Sequence, residues 1–224
     1  VRSSGAQRLI YYLRALPGFE LLDSVRGSGW GGHLGGIVCD AALQANRNYT
    51  STVEPRIAWF VSEHPECATV SGFLGTLPEA DPAVTLAPML DWNGRVRPQR
   101  AVDLALQLQA MEVEHATDLL ALASKGRGTT LAQLKQVRGV GPKTSNYVLG
   151  LVGDPAAVAV DVRLRDVVRS AGVEVANDAE ISELITLAAR MLNVTPWTLD
   201  GAIWKASKND RAAARPCGPD GADQ

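Results

Sequence analysis

The sequence predicts an all-α protein, and three observations carry that prediction. Apolar residues recur at three- and four-residue spacing in one segment after another, strict alternation is sparse, and proline or a short polar residue repeatedly stands where such a segment begins. Residues 6–16 form an amphipathic helix stopped by Pro17-Gly18. An apolar connection then leads into the glycine-rich run RGSGWGGHLGG (26–36) around Trp30 and His33. Such a run is either a flexible loop with the indole tucked into a crevice, or a backbone that a ligand can approach closely, with Trp30 or His33 touching it. A helix resumes over 37–45 and ends in Asn46-Arg47-Asn48-Tyr49.

Helices follow over 57–64 and 69–77, with Trp59 and Phe60 expected in the core, and PEADPAVTLAP (78–88) reads as a proline-rich connection. Past the turn Asp91-Trp92-Asn93-Gly94, a long helix over 98–111 buries Val102, Leu104, Ala105, Leu108 and Met111. A helix over 115–123 leads to the basic loop Lys125-Gly126-Arg127-Gly128 and to Thr129, which is expected to cap the next helix.

The stretch 131–168 organises the rest. Leu131, Leu134 and Val137 share a helical face, and Gly139 and Gly141 bracket Val140 where the chain must reverse. Pro142 then opens a second helix, where its missing N–H costs nothing. The amides of Gly139, Val140 and Gly141 are expected to face outward at a positive helix terminus, with Lys143 in the same turn, which is a ready phosphate site. That helix fails at Gly153, Asp154-Pro155 turns the chain, and an apolar run ends on Asp161, the expected N-cap of a helix over 162–170 bearing Arg163, Arg165 and Arg169. Helices over 178–192 and 197–207 complete the fold, capped by Asp178 and Thr195, with Trp197 and Trp204 on one core face. Residues 209–224 read as a flexible tail.

Nearly half of the 224 residues are apolar, which excludes a disordered chain. The formal charge of −2 argues against a nucleic-acid binder in sum. The distribution argues otherwise: Arg95, Arg97 and Arg100 form one basic cluster, Lys125, Arg127, Lys135, Arg138 and Lys143 a second, and Arg163, Arg165 and Arg169 a third. Cys39, Cys67 and Cys217 are too few and too dispersed for an iron–sulfur cluster or a zinc site, and an odd count without CxxC suggests reduced thiols. No signal peptide and no membrane-spanning run is visible, so a cytoplasmic protein, or one resident with DNA in the nucleoid or nucleus, is expected.

The run Gly139-Val140-Gly141-Pro142-Lys143-Thr144, followed by Val160-Asp161-Val162, resembles the helix-hairpin-helix DNA glycosylases, in the lysine-containing bifunctional branch related to 8-oxoguanine glycosylase and endonuclease III. The resemblance implies a two-lobed fold: a six-helix barrel over 36–161 containing the hairpin (about 130–152), and a second lobe from 1–35 plus 162–208. It implies Lys143 as the amine that traps the sugar, its pKa lowered by the helix terminus and a dry cleft, and Asp161 as the carboxylate that takes the proton or stands against the sugar cation. DNA contacts are implied for Gly139, Val140, Gly141, Thr144 and Arg163, with Arg138 a further cation beside the phosphate. Asn46, Arg47, Asn48 and Tyr49 would fill the gap left by the flipped nucleotide, and Trp30 and His33 would line the base pocket. The carbonyls of Lys135, Val137 and Val140 would hold a monovalent cation, Na+ or K+. No cofactor is required, and no iron–sulfur cluster is expected. The partner is double-stranded DNA with a damaged, oxidised base, and the protein acts as a monomer. Two alternatives stay open: a glycosylase without lyase activity that excises a mismatched or alkylated base, and a non-catalytic DNA-binding module.

Overall fold

The computed structural model describes residues 2–21, 29–78 and 80–213. In chain order its helices are α1 (Arg2–Ala15), α2 (Leu34–Leu43), α3 (Glu54–Glu63), α4 (Val70–Gly75), α5 (Pro82–Met89), α6 (Val96–Ala110), α7 (Ala116–Leu134), α8 (Pro142–Leu151), α9 (Val162–Ser170), α10 (Asp178–Met191) and α11 (Pro196–Ala213). The protein is all-α, with no strand among the described residues. None of the described helices is long and apolar enough to cross a membrane.

The chain folds as two compact units, one holding the described residues up to 21 together with 160–213, the other 29–159. The junctions differ from those expected from sequence. Residues 29–35 go with the central unit because the 3₁₀ turn Gly29–Gly32 packs on α2 and α8. Asp161, expected at the end of the barrel, falls in the terminal unit. Residues 22–28, which include the first three of the glycine-rich run, and the tail beyond 213 lie outside the described residues, and α11 reaches Ala213 where its end was expected near 207.

In the terminal unit α10 packs against α1, α9 and α11. Leu9, Leu13, Ile185, Ala188, Leu199 and Ile203 are buried there. Asp161 caps α9, as the sequence predicts, by accepting from the N–H groups of Arg163 (2.9 Å) and Leu164 (3.0 Å). Asn177, not Asp178, caps α10, because Asp178 is committed to a two-pronged pair with Arg165 at 2.8 and 2.7 Å.

The central unit is built around α2. Every residue of LGGIVCDAAL is buried, so this helix is enclosed on all sides and must be surrounded, which α3, α4, α6 and α8 do. Phe60 and Phe73 are fully buried, their rings edge to face at 6.3 Å, each burial contributing roughly 1.5–3 kcal/mol. Trp59, expected beside them, is instead 48% exposed, because Phe60 takes the inward position of α3.

Two expectations about loops are corrected. The proline-rich connection contains α5: Asp81 caps it by accepting from the Val84 N–H, Pro82 occupies its first turn, and Pro88 falls near its end. The basic loop at 125–128 is a one-residue break, Gly126 (φ −163, ψ 69), inside α7. Thr129 therefore does not start a new helix; the Thr130 hydroxyl closes the break by donating to the Gly126 carbonyl at 3.1 Å. Arg127 is not a loose cation either. It donates to Asp154 (2.7 Å) and Asn146 (2.6 Å), tying α7 to α8 and to the turn that follows it.

Candidate functional site

The reversal between α7 and α8 is a tight turn. Gly139 sits at φ +83, a conformation that glycine adopts without strain, and Gly141 is extended at the N-cap of α8. One detail departs from expectation: the Val140 N–H is not presented outward but donates to Val137 O at 3.0 Å, and the Val140 side chain is buried. The first i→i−4 bond of α8 runs from the Ser145 N–H to Gly141 O, so the N–H groups of Lys143 and Thr144 precede it at a positive helix terminus. Arg138 and Lys135 are exposed on the same turn. Of the three carbonyls expected to hold a monovalent cation, that of Val137 accepts the Val140 N–H. No group of three or more His, Cys, Asp or Glu suited to a metal ion occurs among the described residues.

Lys143 does not stand alone in the first turn of α8. Its ammonium donates to Gln44 Oε1 at 2.8 Å and lies 5.6 Å from the centre of the Tyr147 ring, one helical turn on. Gln44 is the C-cap of α2, and its other amide atom, Nε2, is buried with no hydrogen-bond partner.

The carboxyl beside this amine within the central unit is Asp40, one turn back on α2 from Gln44. It is fully buried. Three donors converge on it: Trp30 Nε1 at 2.8 Å, the Tyr49 hydroxyl at 2.9 Å, and the Tyr147 hydroxyl at 3.2 Å. Burial pushes the Asp40 carboxyl up to about 6, the three hydrogen bonds and the Lys143 charge acting the other way. Burial, then the charge of Asp40, holds both tyrosine hydroxyls firmly protonated. A carboxyl titrating near neutrality beside an amine can exchange protons at working pH. Asp40 was missed in the sequence. The signal was there: it is the one carboxyl-bearing residue in the otherwise uncharged, wholly buried helix LGGIVCDAAL.

The remaining expected residues divide. Trp30, in the left-handed region at φ 54, belongs to this cluster through its indole N–H rather than lining an open base pocket. His33 is corrected to a structural role. It caps α2, its Nδ1 accepting from the Gly36 N–H at 3.0 Å and its Nε2–H donating to His64 O at 2.9 Å, so both ring nitrogens are committed. Tyr49 is likewise turned inward to Asp40, and Asn48 caps the π-helical turn Tyr49–Val53 through Ser51 N. Asn46 (φ +54) and Arg47 are exposed, Arg47 over the Trp92 ring.

Asp161 belongs to the terminal unit, where its Oδ1 serves the α9 cap. Arg163, expected at a phosphate, lies 4.9 Å from the Trp204 ring centre with its Nη1 buried and unpartnered. The thiols of Cys39 and Cys67 are buried and pushed up by that burial, while Cys217 lies outside the described residues. A concave surface of the terminal unit, lined by Gly5, Arg8, Val173 and Leu187 among others, includes none of the expected site residues.

A family model described as "Domain of unknown function (DUF8548)" matches residues 90–208, more than half of the chain, and the chain belongs to that family. The match covers the hairpin, Lys143 and Asp161, and ends short of Trp30, Asp40 and Gln44. No curated protein and no solved structure matches the chain.

Proposed function

We propose that this protein is a DNA N-glycosylase with abasic-site lyase activity, of two-lobed helix-hairpin-helix architecture, acting on a damaged base, in the first instance an oxidised one, in double-stranded DNA. The observation that carries the reading is the setting of Lys143: an amine in the first turn of a helix, directly after a glycine turn suited to a phosphate, held by Gln44 and flanked by a buried carboxyl.

The chemistry follows from those groups. The bond from the sugar C1′ to the base nitrogen breaks, the base leaving with the electron pair, and positive charge develops on the sugar. Asp161, by the resemblance, stands against that charge. The neutral Lys143 amine forms the new bond to C1′ and its proton passes to the departing base nitrogen; ring opening gives the Schiff base as O4′ takes up a proton, and transfer of a C2′ proton to a carboxylate breaks the C3′–O bond, expels the 3′ phosphate with the electron pair and nicks the strand. Asp40 is the additional proton acceptor that supports this reading, and the unpartnered Gln44 Nε2–H is a donor for an acceptor atom on the flipped nucleotide.

Borohydride trapping on a panel of single-lesion duplexes tests the proposal. The expected result is a covalent adduct on at least one oxidised lesion that disappears in Lys143→Gln. Free base released without an adduct leaves a glycosylase lacking the lyase step. Duplex binding with neither product across the panel defeats the enzyme reading and leaves a DNA-binding module.

A further inference from the structure

Three guanidinium groups of the central unit gather where, among the described residues, no carboxylate pairs with them. Arg97 and Arg100 lie three apart on α6, hence on one face, where like charges repel. Arg47 reaches the same place from the segment after α2: both Arg47 and Arg97 stand over the Trp92 ring, at 5.8 and 5.2 Å from its centre. None of the ion pairs among the described residues uses Arg47, Arg97 or Arg100. The crowding is felt electrostatically, since burial and the charges of Arg47 and Arg100 hold Arg97 below the ordinary guanidinium range.

The three are not equivalent. Arg97 is a structural post: it donates to the Leu43 carbonyl and, at 2.6 Å, to the Ala45 carbonyl, closing the negative end of α2. Arg100 is laid against the hairpin glycine, its guanidinium filling the space that a side chain at Gly139 would need, and its Nε is buried with no partner. Arg47 is exposed. A fold that concentrates three cations, sets two of them over one aromatic ring and, among the described residues, pairs none with a carboxylate is arranged for an anion that arrives from outside.

We propose that Arg47 and Arg100, with Arg97 and Trp92 holding the patch in place, form a second phosphate site continuous with the hairpin turn, which takes the sugar–phosphate backbone of a nucleic-acid strand independently of any lesion. The site rests on the nucleic-acid part of the function proposed above, and not on the excision chemistry. Its role is affinity and register: a strand with one phosphate at the Gly139–Lys143 turn lays a neighbouring phosphate on Arg100 and Arg47.

The test is fluorescence anisotropy of the full chain with an undamaged duplex, over about 50 to 200 mM salt, the range in which counterion release is read most clearly. Arg47→Gln and Arg100→Gln are each expected to shallow the slope of log K against log salt by about 0.9, and the double variant by about twice that. Arg100→Lys restores the slope, and Lys205→Gln, an exposed cation in the terminal unit, leaves it unchanged. Circular dichroism melts of each variant confirm folding. Slopes equal to wild type in folded Arg47 and Arg100 variants overturn the proposal, as does stabilisation by inorganic phosphate that these variants lose while duplex binding stays intact. The two proposals fail differently. A protein that traps DNA through Lys143 but keeps its slope in both variants loses only this patch, one that binds through the patch but traps nothing loses only the enzyme, and one that binds no duplex loses both.

Discussion

Lys143 and Gln44 meet at 2.8 Å, the ammonium of the first turn of α8 donating to the side-chain carbonyl that ends α2. A long, flexible side chain is thereby fixed in one direction, and its charge is set beside the buried Asp40. A positioned amine reacts faster than a roaming one because its orientation is settled in advance.

Gln44→Leu removes that acceptor while keeping the bulk, and the borohydride trapping rate on an abasic duplex is expected to fall by roughly tenfold to a hundredfold, the scale of one hydrogen bond to a charged group. Affinity for the undamaged duplex should hold. An unchanged single-turnover trapping rate would show that Gln44 does not position the amine.

Asp40 makes folding depend on pH. The folded protein keeps the proton up to about 6, whereas the unfolded chain releases it near 3.8. Between these values the folded state binds more protons, so the contribution is whole below about pH 4 and is lost as pH rises through 6. The loss is on the order of 3 kcal/mol, since each tenfold difference in proton affinity between the two states is worth about 1.4 kcal/mol. Melting temperatures of wild type and Asp40→Asn across this range should converge at low pH and separate towards neutrality, the amide variant being flat where wild type declines. Parallel profiles would contradict the assignment.

The two hairpin glycines should respond differently to alanine. At Gly139 the backbone is left-handed and a Cβ would come within 2.5 to 2.7 Å of the Arg100 guanidinium, so Gly139→Ala is expected to cost about 1–2 kcal/mol for the conformation alone. Gly141 is extended and nothing lies within 4 Å of its would-be Cβ, so Gly141→Ala should stay within about 0.5 kcal/mol of wild type. Urea denaturation measures both. A loss of duplex affinity in the stable Gly141 variant would then report close approach of a phosphate to this backbone.

Asp154 ties the turn after α8 to Arg127, with its side chain only 9% exposed. Without Asp154 the Arg127 guanidinium, a third exposed, keeps Asn146 but loses its charged partner, and Asp154→Ala should lower stability by about 1.5–3 kcal/mol, the scale of a hydrogen bond to a charged group. The loss also frees Asp154's bond to the Ala156 N–H, so the double variant Asp154→Ala with Arg127→Met should recover part of it, but not all. Full recovery would mean that the charge alone mattered.

Helices with strong punctuation were legible in the sequence. Pro142 after Gly141, Asp161 before Val162 and Thr195 before Pro196 mark their starts correctly, because a cap is a local bond between a side chain and the next few N–H groups. α5 was hidden because Pro82 and Pro88 read as breakers, although Pro82 sits in the first turn, where a helix tolerates it, and Pro88 falls one residue before the end. The break at Gly126 was overread as a loop for the converse reason. Lys143 could be found from its motif, whereas Asp40 had one local sign, a lone carboxyl in an otherwise uncharged apolar run, and its partners, ten, nine and 107 residues away, had none. Arg127 and His33 looked available in the sequence because only tertiary contacts reveal that their polar atoms are committed.

Gly126 has one further effect on how the molecule moves. The helical backbone of α7 is broken there, so 116–125 and 127–134 are expected to open as separate segments. Deuterium uptake along α7 should therefore arrive in two stages. A transient loosening of the stretch that leads into the glycine turn can occur while the first half of the same helix keeps its protons.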